Sequence, residues 1–465
     1  MDTRVTVVIL AAGLGTRMKS RRAKVLHQAG GKTLIEHTVD TALSLASPER
    51  VFVVVGHQAK EVRAAVHTRD VRFIHQTEQK GTGHALMAGR ELLEPLGGLL
   101  VVYYGDCPQI PAALLQSLVE HQSRSDAAAT LVAAELDDPT GYGRVIRDAS
   151  GRVLAVVEQK AGTTQQLAIR EGNVGIYCFR ADLFWKYVGE LQPNNPAREY
   201  YLTDMVEILI QAGYKIDAYR AENPCVLLGI NNRIELAAAD RRFRDRKVRQ
   251  LMLDGVTIEK PETVSVDDAV SIGVDTVIEP FAQVLGRTRI GEGCRIGACS
   301  IIRDSELADG VQVGAFTIIG TSRVAAGVTV GPYARLRLDN DVAPGAQIGN
   351  FVELKKTRMG AGAKAMHLAY LGDSTIGESV NIGAGTITCN FDGRAKHQTQ
   401  IGEGAFVGSN STLVAPVEVG AGAYLAAGSV ITDPVPPDAL ALGRARQVIK
   451  EGWARRRREK APAKL

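Results

Sequence analysis

The chain has 465 residues, of which 45% are hydrophobic and 23% charged, with a formal net charge of +4. That length is too great for one compact core and predicts two or three domains. No apolar run reaches the roughly 18 residues that a membrane-spanning helix needs, so the composition excludes a membrane-embedded protein.

The cysteines and the termini bear on location and partners. Six cysteines are scattered without the paired spacing of a metal site, which is typical of reduced thiols in a cytoplasm. Arg4 and the apolar run 5–13 imitate a signal peptide only faintly, because the run is short, so we expect a cytoplasmic protein. Basic clusters at 241–247 and 455–458 are compatible with nucleic-acid binding, but no interleaved aromatic residues accompany them. We expect neither a nucleic-acid nor a membrane partner.

A glycine loop follows the first predicted strand, residues 5–10. Loops at the carboxyl end of a buried parallel strand present backbone N–H groups that bind phosphates. Met18 stands where the dinucleotide fingerprint needs its third glycine, and no Gly-Lys-Ser/Thr completes a P-loop. The loop therefore indicates either a nucleotide site of another kind, with Arg17 and Lys24 as cations, or a tight turn without a ligand.

Two further buried strands, 51–55 and 99–104, extend a parallel sheet. Ligands gather beyond the carboxyl ends of such strands, so Asp106 is well placed to hold Mg²⁺ beside phosphates. It serves equally well as a cap for the loop that follows. Between these strands, the amides and hydroxyls of 76–84 either read a base or ribose edge or cap the next helix.

From residue 234 to 254 the sequence is rich in Ala, Arg and Leu without Gly or Pro, and Gly255 follows. This pattern predicts a long helix with a glycine stop. We therefore expect a first domain over 1–233, a linker helix over 234–254 and a second domain with a C-terminal tail over 255–465.

An aliphatic residue returns at every sixth position in two long runs between Val266 and Ile431. The positions are Val266, Ile272, Ile278, Val284, Ile290, Ile296 and Ile302, and later Ile401, Val407, Leu413, Val419, Leu425 and Ile431. Period six is typical of a parallel β-helix, in which each side of a coil contributes one inward side chain. A β-sandwich would instead show period-two alternation with wider turn spacing.

The repeat is irregular in several places. The register slips by one residue at Leu307 and at Val324, which indicates five-residue sides or small bulges. We expect breaks of the register over 355–367 and 389–400, the second long enough for a projecting loop, and an end of the coil at Pro434, Pro436 and Pro437. Insertions in solenoids often lie on the binding face, so these breaks predict a functional site.

Taken together, the motifs resemble a known family. They are Leu10–Met18 with Lys24, Gln76 with Gly81–His84, Tyr104–Asp106, Gly141–Arg144 and Gly229–Asn232. These resemble the sugar-nucleotide pyrophosphorylases. Joined to six-residue repeats, they resemble the bacterial bifunctional enzymes with N-acetylglucosamine-1-phosphate uridylyltransferase and glucosamine-1-phosphate N-acetyltransferase activities. The resemblance implies an α/β nucleotidyltransferase domain with a Rossmann-like sheet and a left-handed parallel β-helix of hexapeptide repeats.

For the first domain the resemblance implies uridylyl transfer from UTP to N-acetylglucosamine 1-phosphate, assisted by Mg²⁺. Arg17 and Lys24 would neutralise the triphosphate, and Asp106 and Asn231 would hold the metal. The residues implied to bind UTP or the nucleotide sugar are Leu10, Ala11, Ala12, Gly13, Lys24, Gln76, Gly81, Thr82, Tyr104, Gly105, Gly143, Glu158, Asn173 and Asn231. Val174 departs from the family, which usually has a hydroxyl residue there, and this change would remove one sugar contact.

For the second domain the resemblance implies acetyl transfer from acetyl-CoA to glucosamine 1-phosphate in a homotrimer. His367 is the expected general base, because the attacking amine must lose a proton. The implied sugar-phosphate residues are Arg337, Lys355, Tyr370 and Asn381, and the implied acetyl-CoA residues are Ala384, Asn390, Phe391, Ser409, Ala427 and Arg444. Leu338 replaces a usual proline, and Phe391 a usual tyrosine. An acyl-enzyme on Cys389 is the rival mechanism.

The resemblance also implies that the product supplies peptidoglycan and lipopolysaccharide precursors. Two other functions compete with it. One is a single-activity sugar-1-phosphate nucleotidyltransferase whose β-helix serves regulation or assembly, and the other is a non-catalytic scaffold. The presence of both implied residue sets favours the two-reaction enzyme.

Overall fold

The computed structural model describes residues 4–460. The chain forms two compact units that divide between Phe243 and Arg244, inside the long helix Arg233–Leu253. Among the described residues, no helix has the length and apolar character required to cross a membrane.

The first unit is built on a nine-stranded mixed α/β sheet. Along its main path the strands lie in the order Ile216–Arg220, Ala129–Glu135, Glu171–Arg180, Leu99–Tyr104, Val5–Leu10, Val51–Val55 and Arg72–His75. Glu171–Arg180 runs antiparallel to both of its neighbours on this path, and the other pairs are parallel. Two further strands, Gly143–Arg147 and Val153–Val157, pair beside it, and Gln28–Ala29 pairs with Lys32–Thr33.

The three strands predicted from apolar runs are confirmed at the same residues. They lack alternation because the sheet is covered on both faces, and every residue of Val51–Val55 is buried. The helices of this unit are Leu34–Leu43, Ala59–Ala65, Thr82–Met87, Arg90–Leu93, Ala112–Arg124, Thr164–Leu167, Ala181–Tyr187 and Asp204–Gln211. Leu34–Leu43 begins with a capping box, in which Glu36 N donates to Thr33 Oγ1 and Thr33 N donates to Glu36.

The predicted long helix is present as Arg233–Leu253. Its glycine stop is confirmed, since Gly255 has a φ of +94° and its N–H donates to Met252 O at 3.3 Å. Within the first unit, Phe243 packs against Leu34, whereas Leu251 belongs to the core of the second unit. One helix therefore contributes to both hydrophobic cores.

The second unit is a parallel β-helix of short strands. They are Thr257–Ile258, Ser265–Val266, Ser271–Ile272, Val277–Ile278, Gln283–Leu285, Arg289–Ile290, Arg295–Ile296, Ile301–Arg303, Glu306–Leu307, Gln312–Val313, Ile318–Val324, Thr329–Val330, Arg335–Val342, Gln347–Lys355, Arg358–Met359, Lys364–Gly372, Ser374–Ile376, Asn381–Ile382, Ile387–Cys389, Thr399–Ile401, Phe406–Val407, Thr412–Val414, Val417–Val419, Tyr424–Leu425, Val430–Ile431 and Leu440–Ala441. The aliphatic residues of the period-six pattern point inward and form one continuous core. After the coils, the exposed tail contains the short helix Trp453–Glu459.

Differences in coil length explain the irregularities of the repeat. Val284 pairs with Ile302, which is the full spacing of three repeats, whereas Ile290 pairs with Leu307, one position short of that spacing. The one-residue slip predicted at Leu307 is therefore a shortened coil. The slip at Val324 has the same origin, because Leu307 pairs with Val324 at the same shortened spacing.

The expected break over 355–367 is confirmed as a loss of the period-six register, and its cause is a shortened coil. Strand Lys364–Gly372 pairs with Gln347–Lys355 without an inserted loop, and Leu354 lies beside Leu371. The coils have the shortened length here, so the inward positions shift and no longer fall on the period-six grid.

The expected end of the coil at Pro434, Pro436 and Pro437 is wrong. Strand Leu440–Ala441 lies beyond these prolines and still pairs with Tyr424–Leu425. The coil therefore continues past the prolines that were expected to end it.

The second expected break is confirmed as a projecting loop over 390–398, between two strands of the coil. Ser374 pairs with Thr399 across this insertion, and the next coil returns to the full spacing, with Thr399 beside Val417. Within the loop, Asp392 contacts His397 Nε2 at 2.7 Å and accepts hydrogen bonds from the backbone of 394 and 395. These bonds to its ionised form hold the pKa of Asp392 below its usual range.

Candidate active sites

A cavity of about 580 Å³ opens at the carboxyl ends of the parallel strands in the first unit. The sequence-predicted residues that line it are Leu10, Ala11, Ala12, Gly13, Arg17, Lys24, Gln76, Gly81, Thr82, Tyr104, Asp106, Gly143, Glu158, Asn173 and Asn231. Gly105 is not among the lining residues. Its N–H donates to Leu10 O at 2.9 Å, and a Cβ there would meet Ala11 and Ile35 at 3.2 Å. This glycine allows two strand ends to pack closely.

The glycine loop has the shape that a phosphate site requires. Gly15 has a φ of +61°, and a Cβ on it would lie 2.6 Å from Lys24 Cβ. Only glycine allows that close approach with a left-handed backbone. A Cβ on Gly13 would meet nothing within 4 Å, so the loop borders open space in the cavity at that point.

Lys24 lies between two side chains that carry oxygen. Its ammonium forms an ion pair with Asp106 and donates to Asn231 Oδ1 at 3.2 Å. Arg17 is exposed, and no side chain among residues 4–460 forms an ion pair with it. The cavity thus contains one cation that is already paired and one that is available to an anionic ligand.

Asp106 and Asn231 fit a small, hard cation. Their oxygens converge on one positively charged atom, the Lys24 nitrogen. Mg²⁺ prefers oxygen ligands and often takes only one or two from protein, with phosphates and water completing its shell. Within 4–460 there is no group of three or more His, Cys, Asp or Glu side chains suited to a metal. A metal at Asp106 and Asn231 would therefore depend on substrate oxygens.

The start of the long helix places Asn231. Its N–H donates to Glu235 at 2.6 Å, and its side-chain amide donates to Gly229 O at 3.0 Å. Asn232 Oδ1 accepts from the N–H groups of 234 and 235, as an N-cap residue does. The oxygen of Asn231 is thereby left directed at Lys24. Glu235 was not predicted, although an acidic residue in the first turn of a helix is a recognisable signal.

The opposite part of the lining is largely desolvated. Burial raises the pKa of Glu158, whose carboxylate accepts from Thr203 Oγ1 at 3.1 Å, and burial likewise raises the pKa of Tyr104. Asn173 donates to the Tyr177 hydroxyl at 2.6 Å and accepts from Gly175 N at 3.2 Å. Val174 lines the cavity with an apolar side chain that is 3% exposed. This wall offers fixed polar groups to a neutral, hydroxyl-bearing ligand.

Arg144 supports the glycine turn of this wall. Arg144 is 2% exposed, and its guanidinium donates to Tyr142 O and, at 3.0 Å, to Gln159 Oε1. Gln159 Oε1 also accepts from Gly141 N at 3.2 Å. Arg144 thus fixes the backbone before Gly143. The sequence shows Arg144 within the Gly-Tyr-Gly-Arg motif, but its role is visible only from these contacts.

A second polar cluster lies on neighbouring coils of the β-helix. His367 sits beside Asn350 in the strand register, and His367 Nδ1 is 3.0 Å from Asn350 Oδ1. The amide oxygen only accepts, so Nδ1 carries the proton and Nε2 keeps a free lone pair. The exposed imidazole is therefore prepared to accept a proton.

Two cations lie farther along the strands of the coil than this pair, where Lys355 is in register with Gly372. Arg337 Nε donates to Glu353 at 2.6 Å, and Arg337 lies next to Lys355 in the register. The pairing with Glu353 raises the pKa of Arg337. Lys355 Nζ lies 3.6 Å from Asp373, and both side chains are largely buried. The guanidinium and ammonium groups lie on consecutive strands, as a phosphate-binding pair requires.

The projecting loop joins this cluster through Asn390. Its amide contacts Asp373 and lies 3.4 Å from the Tyr370 hydroxyl. A Cβ on Gly372 would come within 2.5 Å of that hydroxyl and 2.6 Å of the Asn390 amide nitrogen, so glycine is needed for their meeting. Asn381 lies farther along, paired in register with Lys364. The structure thus brings Tyr370 and Asn390 together and shows no direct bond from Asn381 to either residue.

Four of the six residues predicted to bind acetyl-CoA follow one column of the coil. Asn410 N donates to Ala384 O at 2.7 Å, and Gly428 N donates to Ser409 O at 2.8 Å. A Cβ on Gly408 would lie 2.5 Å from Ala427 N, and one on Gly428 would lie 3.8 Å from Arg444 Cδ. Ala384, Ser409, Ala427 and Arg444 therefore succeed one another on adjacent coils. Phe391 lies in the projecting loop, and the Lys396 ammonium is 4.5 Å from its ring centre.

Sequence reasoning missed three partners in this cluster, namely Asn350, Glu353 and Asp373. Each lies one coil away from a predicted residue, 17 residues for Asn350 and His367 and for Asp373 and Asn390. The slips at Leu307 and Val324 already contained that shortened spacing. Applied as a pairing rule, it would have found two of the three partners.

Comparisons with known proteins cover nearly the whole chain. Residues 7–170 match the family model described as MobA-like NTP transferase domain, and 269–304 and 398–433 match bacterial transferase hexapeptide repeats. A protein named Bifunctional protein GlmU from Solibacter usitatus is 65% identical over 461 residues, 99% of each chain. Proteins of the same name from Koribacter versatilis and Anaeromyxobacter sp. are 47% and 49% identical, covering 98% and 99% of this chain and 98% and 95% of theirs.

Proposed function

The chain belongs to the family of bifunctional GlmU proteins, and from that premise we propose that it makes UDP-N-acetylglucosamine by two successive transfers. The second unit transfers acetyl from acetyl-CoA to the amine of glucosamine 1-phosphate. The first unit then transfers uridylyl from UTP to the resulting N-acetylglucosamine 1-phosphate and releases pyrophosphate. The observation that carries the proposal is that one chain holds two separate sets of polar residues. One is a cavity lined by a glycine loop, Arg17 and Lys24, and the other, on the β-helix, comprises the His367–Asn350 pair and the neighbouring cations Arg337 and Lys355.

In the first unit the reaction is mainly a matter of position and charge. The Gly13 and Gly15 backbone and the exposed Arg17 guanidinium take the triphosphate, and Lys24 neutralises charge beside it. Glu158 and Asn173 hold the sugar against the desolvated wall. The sugar phosphate oxygen attacks the α-phosphorus, and pyrophosphate leaves on the opposite side.

Asp106 and Asn231 would hold Mg²⁺, which when bound supplies charge neutralisation to the phosphates. The convergence of their oxygens on the Lys24 ammonium supports this assignment. Lys24 must then release Asp106 when substrate binds. That release leaves the ammonium available to a phosphate oxygen in the same cavity.

In the second unit His367 removes a proton from the substrate amine, and the amine attacks the thioester carbonyl of acetyl-CoA. Arg337 and Lys355 bind the sugar phosphate, and Tyr370, Asn381 and Asn390 orient the sugar. CoA leaves as the thiol after it takes up a proton. The free Nε2 of the imidazole supports this role over an acyl-enzyme on Cys389.

We further propose a homotrimer in which the acetyl-CoA column meets a neighbouring copy. An apolar column on the β-helix supports this, consisting of Phe281, Phe316, Tyr333, Phe351 and Leu368, each about half exposed or more. Phe316 stacks on Tyr333 at 5.0 Å between ring centres, and Tyr333 stacks on Phe351 at 5.4 Å. Contiguous exposed apolar surface of this kind marks protein interfaces.

The cytoplasm is the proposed location of both reactions. All six cysteines are free thiols, and three of them are buried without a disulfide partner. Such cysteine use is typical of a reducing compartment, which also contains UTP and acetyl-CoA as metabolites.

One coupled assay tests the two-reaction proposal. The full-length protein receives glucosamine 1-phosphate, acetyl-CoA, UTP and Mg²⁺, and the release of CoA and of pyrophosphate is followed separately. We expect both products, with pyrophosphate release dependent on acetyl-CoA. A second reaction adds N-acetylglucosamine 1-phosphate to the same mixture. Pyrophosphate release there, with no CoA release in either reaction, would instead support the single-activity nucleotidyltransferase.

A further inference from the structure

Gln76 is a buried glutamine on the cavity wall with a fixed backbone. Its side chain is 3% exposed, and it follows strand Arg72–His75. The Gln76 N–H donates to Val55 O at 2.8 Å, and its carbonyl accepts from Gln79 Nε2 at 3.2 Å. The side-chain amide therefore has little freedom other than rotation about its terminal bond.

Two acceptors bind the amide nitrogen of the Gln76 side chain. Nε2 lies 3.1 Å from Gly81 O and 3.1 Å from His84 Nδ1. A backbone carbonyl only accepts, so the NH₂ group must face Gly81, and the alternative rotamer would place two oxygens against each other. His84 Nδ1 must then be the unprotonated ring nitrogen that accepts the second N–H.

This arrangement determines which atom faces a ligand. Both N–H groups of the Gln76 amide are used, and no donor among residues 4–460 reaches Oε1. Gln76 lines the cavity, so its carbonyl oxygen is the group that remains for a base. A carbonyl oxygen accepts a hydrogen bond from the N3–H of uracil, whereas N3 of cytosine is itself an acceptor and is repelled.

His84 is held in place independently of Gln76. It lies in the helix Thr82–Met87, which is anchored to the segment 200–202 by two bonds. Gly83 N donates to Tyr200 O at 2.8 Å, and Leu202 N donates to Thr82 Oγ1 at 3.0 Å. His84 itself is not part of the cavity lining, so it acts on a ligand only through Gln76.

We propose that His84 is a positioning residue that fixes the Gln76 amide with its oxygen toward the base and thereby sets the preference for UTP over CTP. The inference rests on the proposed uridylyl transfer. Neither the cavity volume nor the glycine loop distinguishes two pyrimidine triphosphates of nearly equal size. The orientation of the Gln76 amide does distinguish them. With its oxygen toward the base it accepts from N3–H of uracil, whereas the reversed amide would donate to N3 of cytosine.

The test measures kcat and KM of the full-length protein for UTP and for CTP, by pyrophosphate release with N-acetylglucosamine 1-phosphate and Mg²⁺. For His84→Leu we expect KM for UTP to rise about five- to tenfold with kcat within about twofold, and the UTP-over-CTP ratio of kcat/KM to fall about tenfold. His84→Asn should restore the ratio, because the Asn side-chain oxygen can accept where Nδ1 does. His67→Leu is the matched control, since His67 is exposed and bonds only Ala64 O.

CoA release by the second unit, measured in the same preparations, checks that each variant is folded. A further variant, His84→Lys, replaces the acceptor with a donor and should lower the ratio at least as far as His84→Leu, which keeps the test decisive if the leucine variant is unstable. An unchanged ratio in both folded variants would overturn the inference. So would a His84→Asn variant no better than His84→Leu. Failure of the unmutated protein to use UTP at all would instead refute the proposed function.

Discussion

The tautomer and the orientation of His367, the proposed general base, depend on its neighbour Asn350. His367 Nδ1 donates its proton to Asn350 Oδ1, with 3.0 Å between the nitrogen and the oxygen, so the ring has a defined tautomer and a defined orientation. A base that is free to rotate spends part of its time with the wrong nitrogen toward the amine. Asn350 is therefore a positioning residue for acetyl transfer, although it contacts no substrate in the proposed mechanism.

We expect Asn350→Ala to lower kcat for CoA release roughly 10- to 100-fold, because an oriented general base contributes a large factor and the variant loses only its orientation. Asn350→Asp keeps an acceptor and should retain most of the activity. Uridylyl transfer from supplied N-acetylglucosamine 1-phosphate serves as the internal control and should not change. Full CoA release by the alanine variant would show that His367 needs no partner.

The carboxyl group of Asp204 lies near Glu158 of the cavity wall and makes the stability of the protein depend on pH. Burial and the nearby carboxylates of Glu158 and Glu207 raise the pKa of Asp204 from 3.8 to about 6. The folded state therefore binds a proton that the unfolded state has released between these two values, and stability falls as pH rises through that window.

Asp204→Asn should remove this loss. We expect the variant to be more stable than the unmutated protein at pH 7 by ~1 kcal/mol, a figure reduced for the partial exposure of the group. The stability difference should stop changing with pH, and be smallest, well below pH 3.8, where the carboxyl is protonated in both the folded and the unfolded state. Chemical unfolding across this pH range measures the difference. A difference that does not depend on pH would contradict the assigned cause.

Residues next to strand ends were predictable, and contacts between distant residues were not. Ala11, Gly13 and Asp106 follow buried strands directly, and the rule that ligands gather at carboxyl ends placed them in one cavity. The bond of Lys24 to Asn231 spans 207 positions, and no local pattern encodes it. Gly105 was predicted from its motif to bind the ligand, but it does not line the cavity. A glycine is required there because a Cβ would crowd Ala11 and Ile35.

At the level of elements, the β-helix and its one-residue slips at Leu307 and Val324 were predictable from period six, but the cause of the irregularity over 355–367 was not. A five-residue side and an inserted loop both shift the aliphatic positions, so a reading in steps of six cannot separate them. The pairing of Leu354 with Leu371 shows a shortened coil, whereas that of Ser374 with Thr399 shows a true insertion. Only the partner strand resolves the two cases.

Two adjacent residues on one strand test whether the residues of the period-six pattern point into the interior of the β-helix. Leu413 is fully buried, whereas its neighbour Val414 is 36% exposed. Leu413→Ala should lower the free energy of unfolding by ~3 kcal/mol, since it leaves a cavity in the coil, and Val414→Ala should cost less than ~1 kcal/mol. Denaturant unfolding of both variants measures the contrast. Equal losses would contradict the assignment of Leu413 to the interior.

At the level of the whole molecule, two units with separate cores each hold one candidate site. The matches to relatives extend over both units, so the family covers both halves of the chain. Each unit supplies its own polar residues, and no residue is shared between the two proposed reactions. The two activities should therefore be separable by single substitutions.

Crossed inactivation tests this central claim most directly. Asp106→Ala and His367→Ala are assayed for CoA release from glucosamine 1-phosphate and for pyrophosphate release from supplied N-acetylglucosamine 1-phosphate. We expect Asp106→Ala to lose pyrophosphate release by more than about 100-fold with normal CoA release, and His367→Ala to show the converse. Loss of both activities in either folded variant, or of neither in both, would contradict the account.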